Sequence, residues 1–166
     1  VSSSGLDSMP AASPDGKSIA FVSSRDGTPR IWIKQLEGGR EIAITDGPDS
    51  SPRFSPDGTQ IAFIRDVDAT RFDVYAMRAD GTGLRRLTPA PISNESWVNW
   101  APDSEHLAVI RQVETTGCPT AACFTNQLEM LDTTGSGTTR IIATADRMDY
   151  VQFRPPDGRQ LLYRAL

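Results

Sequence analysis

A Pro-Asp-Gly turn that returns along the chain is the feature that most restricts its fold. Pro14-Asp15-Gly16, Pro56-Asp57-Gly58, Pro102-Asp103-Ser104 and Pro156-Asp157-Gly158 follow one another at intervals of 42, 46 and 54 residues. In each, proline presets φ for the second position of a type I turn. Aspartate suits the third position, and glycine takes the positive φ that follows. The flanks have strand composition, as in "FSPDGTQIAF" from Phe54 to Phe63. A period of this size marks a chain built by repeating one supersecondary unit.

More than the turn repeats. Asp7-Ser8-Met9-Pro10 matches Asp49-Ser50-Ser51-Pro52. "RIWIKQLEGG" at 30–39 matches "DVYAMRADGTG" at 73–83 and "LEMLDTTGSG" at 128–137. "REIAIT" at 40–45 matches "RRLT" at 85–88 and "TRIIAT" at 139–144. Each unit holds four short β-runs, the fourth ending in threonine. Four strands in about 40–50 residues make the blade of a β-propeller. The units run over 7–48, 49–94 and 95–146, with a half unit at 147–166.

The pattern P-x-F-S-P-D-G-x-x-I-A-F, then an aromatic and branched run, then D-G-x-G, then R-R-L-T, resembles the TolB-type propeller repeat. That repeat is WD-repeat-like in architecture. It also occurs in the propeller domains of prolyl-oligopeptidase-type peptidases. The resemblance is closest over 49–88, good over 7–45 and looser over 97–144. It implies an all-β propeller fragment of three four-stranded antiparallel blades and a C-terminal half blade. Two departures bear on local geometry. Ser104 stands where glycine is expected, so a side chain must tolerate that backbone, and the fourth turn carries an extra residue at Pro155-Pro156.

Charge narrows the partners. The formal net charge of −4 comes with no basic stripe, so nucleic acid is not expected. No apolar run approaches the roughly 20 residues that span a membrane. Propellers close with about 4–8 blades, so further blades in cis, or a second copy of the chain, are expected to complete the ring.

Cys118 and Cys123 lie in "TGCPTAAC", within the connection between the second and third runs of the third unit. That connection, 111–127, is about twice as long as its counterparts at 23–30 and 65–73. Two cysteines in one inserted hairpin read most simply as a local disulfide, hence an oxidising compartment and an exported protein, whether periplasmic, cell-surface or extracellular; the alternative is two unpaired cytosolic thiols. Zinc needs four ligands, and the chain has two cysteines and one histidine. Four residues separate the cysteines, not the two of a redox C-x-x-C motif.

Length variation concentrates on one propeller face, where connections 4→1 and 2→3 meet. Variable loops on a rigid scaffold are where partners dock. Candidate contacts for a protein or small ligand there are Arg65, Arg71, Asn94, Trp97, Arg111 and Phe124. Each also has a structural reading, as an ion-pair partner for the arginines and as blade packing for Trp97. Arg53, Asn99 and Gln152 occupy matching positions of the innermost strands, with Ala11 in the first unit, and are candidates to line a central channel, where solvated wall residues are the preferred reading over a ligand site. Asp46, Asp49, Asp66, Asp68, Asp146 and Asp149 lie in loops of the variable face and offer oxygens of the kind that hold Ca²⁺. "DVDAT" lacks the length and closing glutamate of an EF-hand loop, so no cofactor is the preferred expectation.

Catalysis has little support. His106 is the only histidine, and no G-x-S-x-G elbow occurs. The turn aspartates have a sufficient structural role. Two functions stand. The preferred one is a non-catalytic binding scaffold of an exported or envelope protein, as the TolB resemblance implies. The alternative is a substrate-gating propeller of a prolyl-oligopeptidase-type serine peptidase, its catalytic domain lying outside this chain.

Overall fold

The computed structural model describes residues 6–69, 71–88, 92–93, 98–115, 123–134, 139–154 and 158–165. Among them every regular element is a β-strand. The first blade is the antiparallel sheet β1 (Asp7–Ala12), β2 (Ser18–Ser23), β3 (Arg30–Gln35) and β4 (Glu41–Ala43). The second comprises β5 (Asp49–Phe54), β6 (Gln60–Asp66), β7 (Arg71–Arg78) and β8 (Arg85–Arg86). A two-residue strand, β9 (Ile92–Ser93), follows. The third blade comprises β10 (Val98–Trp100), β11 (His106–Thr115), β12 (Cys123–Asp132) and β13 (Thr139–Ala145). The half blade is β14 (Met148–Phe153) paired with β15 (Leu161–Ala165).

The repeated turns close as the sequence predicts. Gly16 N donates to Ser13 O at 2.9 Å, Gly58 N to Ser55 O at 2.8 Å and Ser104 N to Ala101 O at 3.1 Å. In the first three turns the aspartate side chain accepts the amide two residues on: Lys17 N to Asp15 at 3.0 Å, Thr59 N to Asp57 at 3.0 Å and Glu105 N to Asp103 at 2.9 Å; Asp157 of the fourth lies outside the described residues. Ser104 holds φ at +61°, beside +69° and +75° for Gly16 and Gly58. Its hydroxyl accepts the Asp57 amide at 3.1 Å, a bond to the neighbouring blade that glycine cannot make. The threonine ending the fourth run also has a use. Thr45 Oγ1 accepts Ile31 N at 2.9 Å, and Thr88 Oγ1 accepts Val74 N at 3.3 Å.

The middle strands β6 and β11 are apolar on both faces because a blade lies on either side. In β6, Ile61 and Phe63 pack with Ala20, Ile31 and Ile33 of the first blade. Ala62 and Ile64, one residue out of phase, pack with Val98, Trp100, Leu107 and Val109 of the third. In β11, Ala108 and Ile110 turn to Leu128, Met148 and Val151, so the half blade stacks on the third blade. The core is thus three slabs between sheets.

Two features depart from the sequence reading. The inner strands β1 and β5 each contain a bulge, between Ser8 and Ala11 and between Ser50 and Arg53, with Met9 and Ser51 at φ +51° and +53°. And the 4→1 connection at 88–97, expected as plain loop, contains β9. Ser93 pairs with Arg71 of β7 and with Gln112 of β11, which joins the second and third blades in one hydrogen-bonded sheet.

Candidate functional site

The variable face is built around the hairpin of β11 and β12. Each strand has 10 residues, against 6 in β2 and β3. Their pairing runs from His106↔Asp132 to Thr115↔Cys123. Neighbouring strands cover only part of this length. β13 reaches β12 as far as Asn126↔Ala145, and β9 reaches β11 at Gln112. Beyond those points residues 113–115 and 123–125 have no strand beside the hairpin among the described residues. Phe124, on this arm, is 40% exposed.

The arginines of this face have partners. Arg65 is clamped: its Nε lies 2.6 Å from Asp49 Oδ1 and its Nη2 2.9 Å from Asp49 Oδ2, with Asp46 at 3.4 Å. The guanidinium lies over the rings of Phe63 and Tyr75, 5.7 and 5.0 Å from their centroids. Asp49 is fully buried, and its hydrogen bonds hold the Arg65 pKa above the usual value despite burial. Arg111 Nε lies 2.9 Å from the buried Glu129 but is not aligned for a hydrogen bond. Arg71 is more exposed and donates to Asp68 at 2.6 Å. Asn94, Trp97 and Cys118 lie outside the described residues. Cys123 begins β12.

The first blade repeats the clamp from a different position. Ser23 pairs with Asp7 as Arg65 pairs with Asp49, and Arg25 supplies the cation from two residues further on. Arg25 donates to Asp7 at 3.1 Å and to Glu41 at 2.6 Å, and lies over Phe21 and Trp32 at 5.5 and 4.7 Å. Sequence reading named Arg65 and missed Arg25. The aligned segments 7–10 and 49–52 carried the signal, since they place Asp7 and Asp49 alike.

The innermost strands bring Arg53, Asn99 and Gln152 to matching places. Asn99 donates to Val151 O at 2.5 Å, tying the third blade to the half blade, and Trp100 Nε1 donates to Arg53 O at 2.9 Å. Arg53 and Gln152 are exposed. Of the aspartates expected in loops, Asp49, Asp66 and Asp149 instead lie in β5, β6 and β14, and several face arginines: Asp49 with Arg65, Asp68 with Arg71 and Asp149 with Arg164. No three His, Cys, Asp or Glu side chains converge as metal ligands among the described residues.

His106 is held by a carboxylate, which sequence reading did not anticipate. Its Nδ1 lies 2.8 Å from Asp103 Oδ2. Burial raises the Asp103 pKa, but hydrogen bonds from Glu105 N and His106 outweigh it and keep the carboxyl below its usual range. The pair belongs to the third turn, whose aspartate also accepts the His106 amide at 3.0 Å.

With strand order, turns and clamps in view, comparison with known proteins is direct. Residues 1–165 match the TolB beta propeller domain. The chain belongs to the TolB β-propeller family. This TolB-type propeller superposes on TolB from Acinetobacter baumannii with a TM-score of 0.72 at 22% identity, covering 96% of this chain and 38% of that one. Its fold is also similar to the acylaminoacyl peptidase of Pyrococcus horikoshii, with a TM-score of 0.64 at 19% identity over 84% of this chain and 25% of that one. Oligogalacturonate lyase from Vibrio parahaemolyticus gives 0.65 at 15% identity over 87% and 41%. At these identities the structural likeness concerns the fold. The TolB-type propeller spans at most half the length of each of these proteins. No helix of the described residues is long and apolar enough to cross a membrane.

Proposed function

We propose that this propeller is a non-catalytic binding scaffold of an exported protein, and that a protein partner docks on the face carrying the β11–β12 arm. The observation that supports this reading is the arm itself. It extends past β9 and β13, exposes Phe124 and has strand edges with no neighbour among the described residues, which suit a partner's backbone. Arg71 stands beside β9 on the same face. Arg65 and Arg111 serve mainly to hold the blades. The exported compartment rests on the proposed pairing of Cys118 with Cys123, the first residue of β12. Native, non-reducing thiol titration is expected to find no free thiol in the exported protein.

The test compares cross-linking yields in the native host for wild type, Phe124→Glu and a control on the opposite turns, Thr59→Glu. Loss of one specific partner with Phe124→Glu alone is expected. Equal capture by all three rules the arm out as the docking surface. Labelling of the full-length polypeptide by a serine-directed fluorophosphonate decides the other reading. No labelling is expected. Labelling establishes a peptidase gated by this propeller.

A further inference from the structure

On the face of the Pro-Asp-Gly turns, opposite the arm, the seams between blades are not equally filled. Between the second and third blades the space is occupied from within. Arg85 of β8 donates to Thr133 O at 3.0 Å from Nε and 2.6 Å from Nη2, and its Nη2 also donates to Gln60 Oε1. Gln60 Nε2 reaches Ser104 O at 3.4 Å, and the Ser104 hydroxyl accepts Asp57 N at 3.1 Å. A guanidinium is thereby fixed by a main-chain carbonyl and a carboxamide oxygen.

The seam between the first and second blades has the same frame and no such occupant. Strand register identifies the equivalent positions. Ile42 pairs with Ile33 as Arg85 pairs with Ala76, so isoleucine replaces the arginine. Ser18 stands for Gln60 and Gly58 for Ser104. Ala79 N bonds Thr59 O as Thr133 N bonds Glu105 O, so the Ala79 carbonyl corresponds to that of Thr133. Three shortened side chains leave a groove of about 340 Å³, lined by Ser18, Gln35, Phe54, Ala79, Asp15 and Asp57. Lys17 also reaches the rim, one ammonium against two carboxylates.

We propose that this groove binds an alkylguanidinium, the head of an arginine side chain or of a small guanidino compound, in the place that Arg85 fills one blade further on. The Ala79 carbonyl and the Gln35 and Ser18 side chains receive the N–H fork, and Phe54 supports its flat face. The rim carboxylates favour a cation, and the planar fork fits paired oxygens better than a lysine ammonium does.

The test is an amide chemical-shift titration of the isotope-labelled chain with Nα-acetyl-arginine methylamide, its lysine counterpart and the peptide Gly-Gly-Arg-Gly-Gly. Saturable shifts are expected at Ser18, Gly58 and Ala79, with the lysine compound at least about fivefold weaker. Ile42→Arg fills the groove from within and is expected to abolish the shifts. Gly58→Ser, which restores the Ser104 arrangement, is expected to weaken them and stands as the second variant if Ile42→Arg does not fold. Tighter binding of the peptide points to an arginine in a partner protein; equal binding points to a free guanidino compound. Equal response to lysine, shifts located elsewhere, or shifts unchanged in the folded variants overturn the proposal.

Discussion

The first and second blades solve one packing problem from different places in the chain. Both lay a guanidinium across two aromatic rings and tie it to an aspartate at the start of the inner strand. In the second blade the arginine is in β6, and its aspartate is fully buried. In the first it lies two residues beyond β2 and divides its charge between Asp7 and Glu41, both partly exposed. The fold therefore specifies where a charge must sit and leaves open which residue brings it. An arginine side chain is long enough to cover a two-residue shift of its own backbone.

The two clamps should diverge most when their aspartates are removed. Asp49→Ala leaves Arg65 only the exposed Asp46 at 3.4 Å and is expected to cost about 3 kcal/mol in denaturant unfolding. Asp7→Ala leaves Arg25 with Glu41 and is expected to cost under about 1 kcal/mol. Equal losses would mean that the two clamps bear the same load. Next come the turns. Gly58→Val places a β-branched residue at φ +75°, with Pro14 at 3.4 Å from the new Cβ, and is expected to cost about 2 kcal/mol. Gly16→Val, whose added Cβ meets nothing within 4 Å, is expected to cost less by melting temperature.

A transplant asks whether the position of the arginine matters at all. Arg25→Ser is expected to lose about 1 kcal/mol with the cation over Phe21 and Trp32. Adding Ser23→Arg puts the arginine where β6 carries Arg65 and is expected to recover most of that loss. No recovery would show that the first blade depends on the loop path of Arg25.

The smallest effect is on pH. The hydroxyl of Ser13, with the amide of Lys17, holds Asp15 below the ordinary value of 3.8. Burial pushes Asp57 up, but the hydrogen bonds from Ser55 and Thr59 outweigh it and hold this carboxyl below 3.8 as well. Values lower in the folded chain than in the unfolded one stabilise fully above about pH 4, and that stabilisation is lost as pH falls through the folded values. Melting temperature is therefore expected to be level from about pH 7 to 5 and to drop below about 4. The drop flattens more in Asp57→Asn than in Asp15→Asn.

Much of the fold was legible because it is encoded locally and four times over. The turns state their own geometry, the runs around them alternate, and even the backbone demand on Ser104 could be read from its place in the repeat. The site was less legible. For Arg65 and Arg111 the sequence offers both docking and ion pairing, and only the pairing of strands brings Asp49 and Glu129 to them. Arg25 sits off the aligned position, so repetition concealed it. β9 is an isoleucine and a serine in a proline-flanked connection, and its partners belong to two different blades. The unfilled groove has no motif at all. It arises where Ile42, Ser18 and Gly58, far apart in sequence, are each shorter or less polar than their counterparts.

β9 has a mechanical consequence. Ser93 bonds to strands of two blades at once, so sliding between the second and third blades breaks main-chain hydrogen bonds. The first and second blades share no strand among the described residues and meet through side-chain packing, the main-chain bond from Asp49 N to Pro29 O at 3.0 Å and the bond from Ser51 N to Met9 Sδ at 3.3 Å. Under shear the stack behaves like a book with two leaves glued together. Among the three full blades the compliant joint is the seam beside Gly58, and bending of the stack concentrates there.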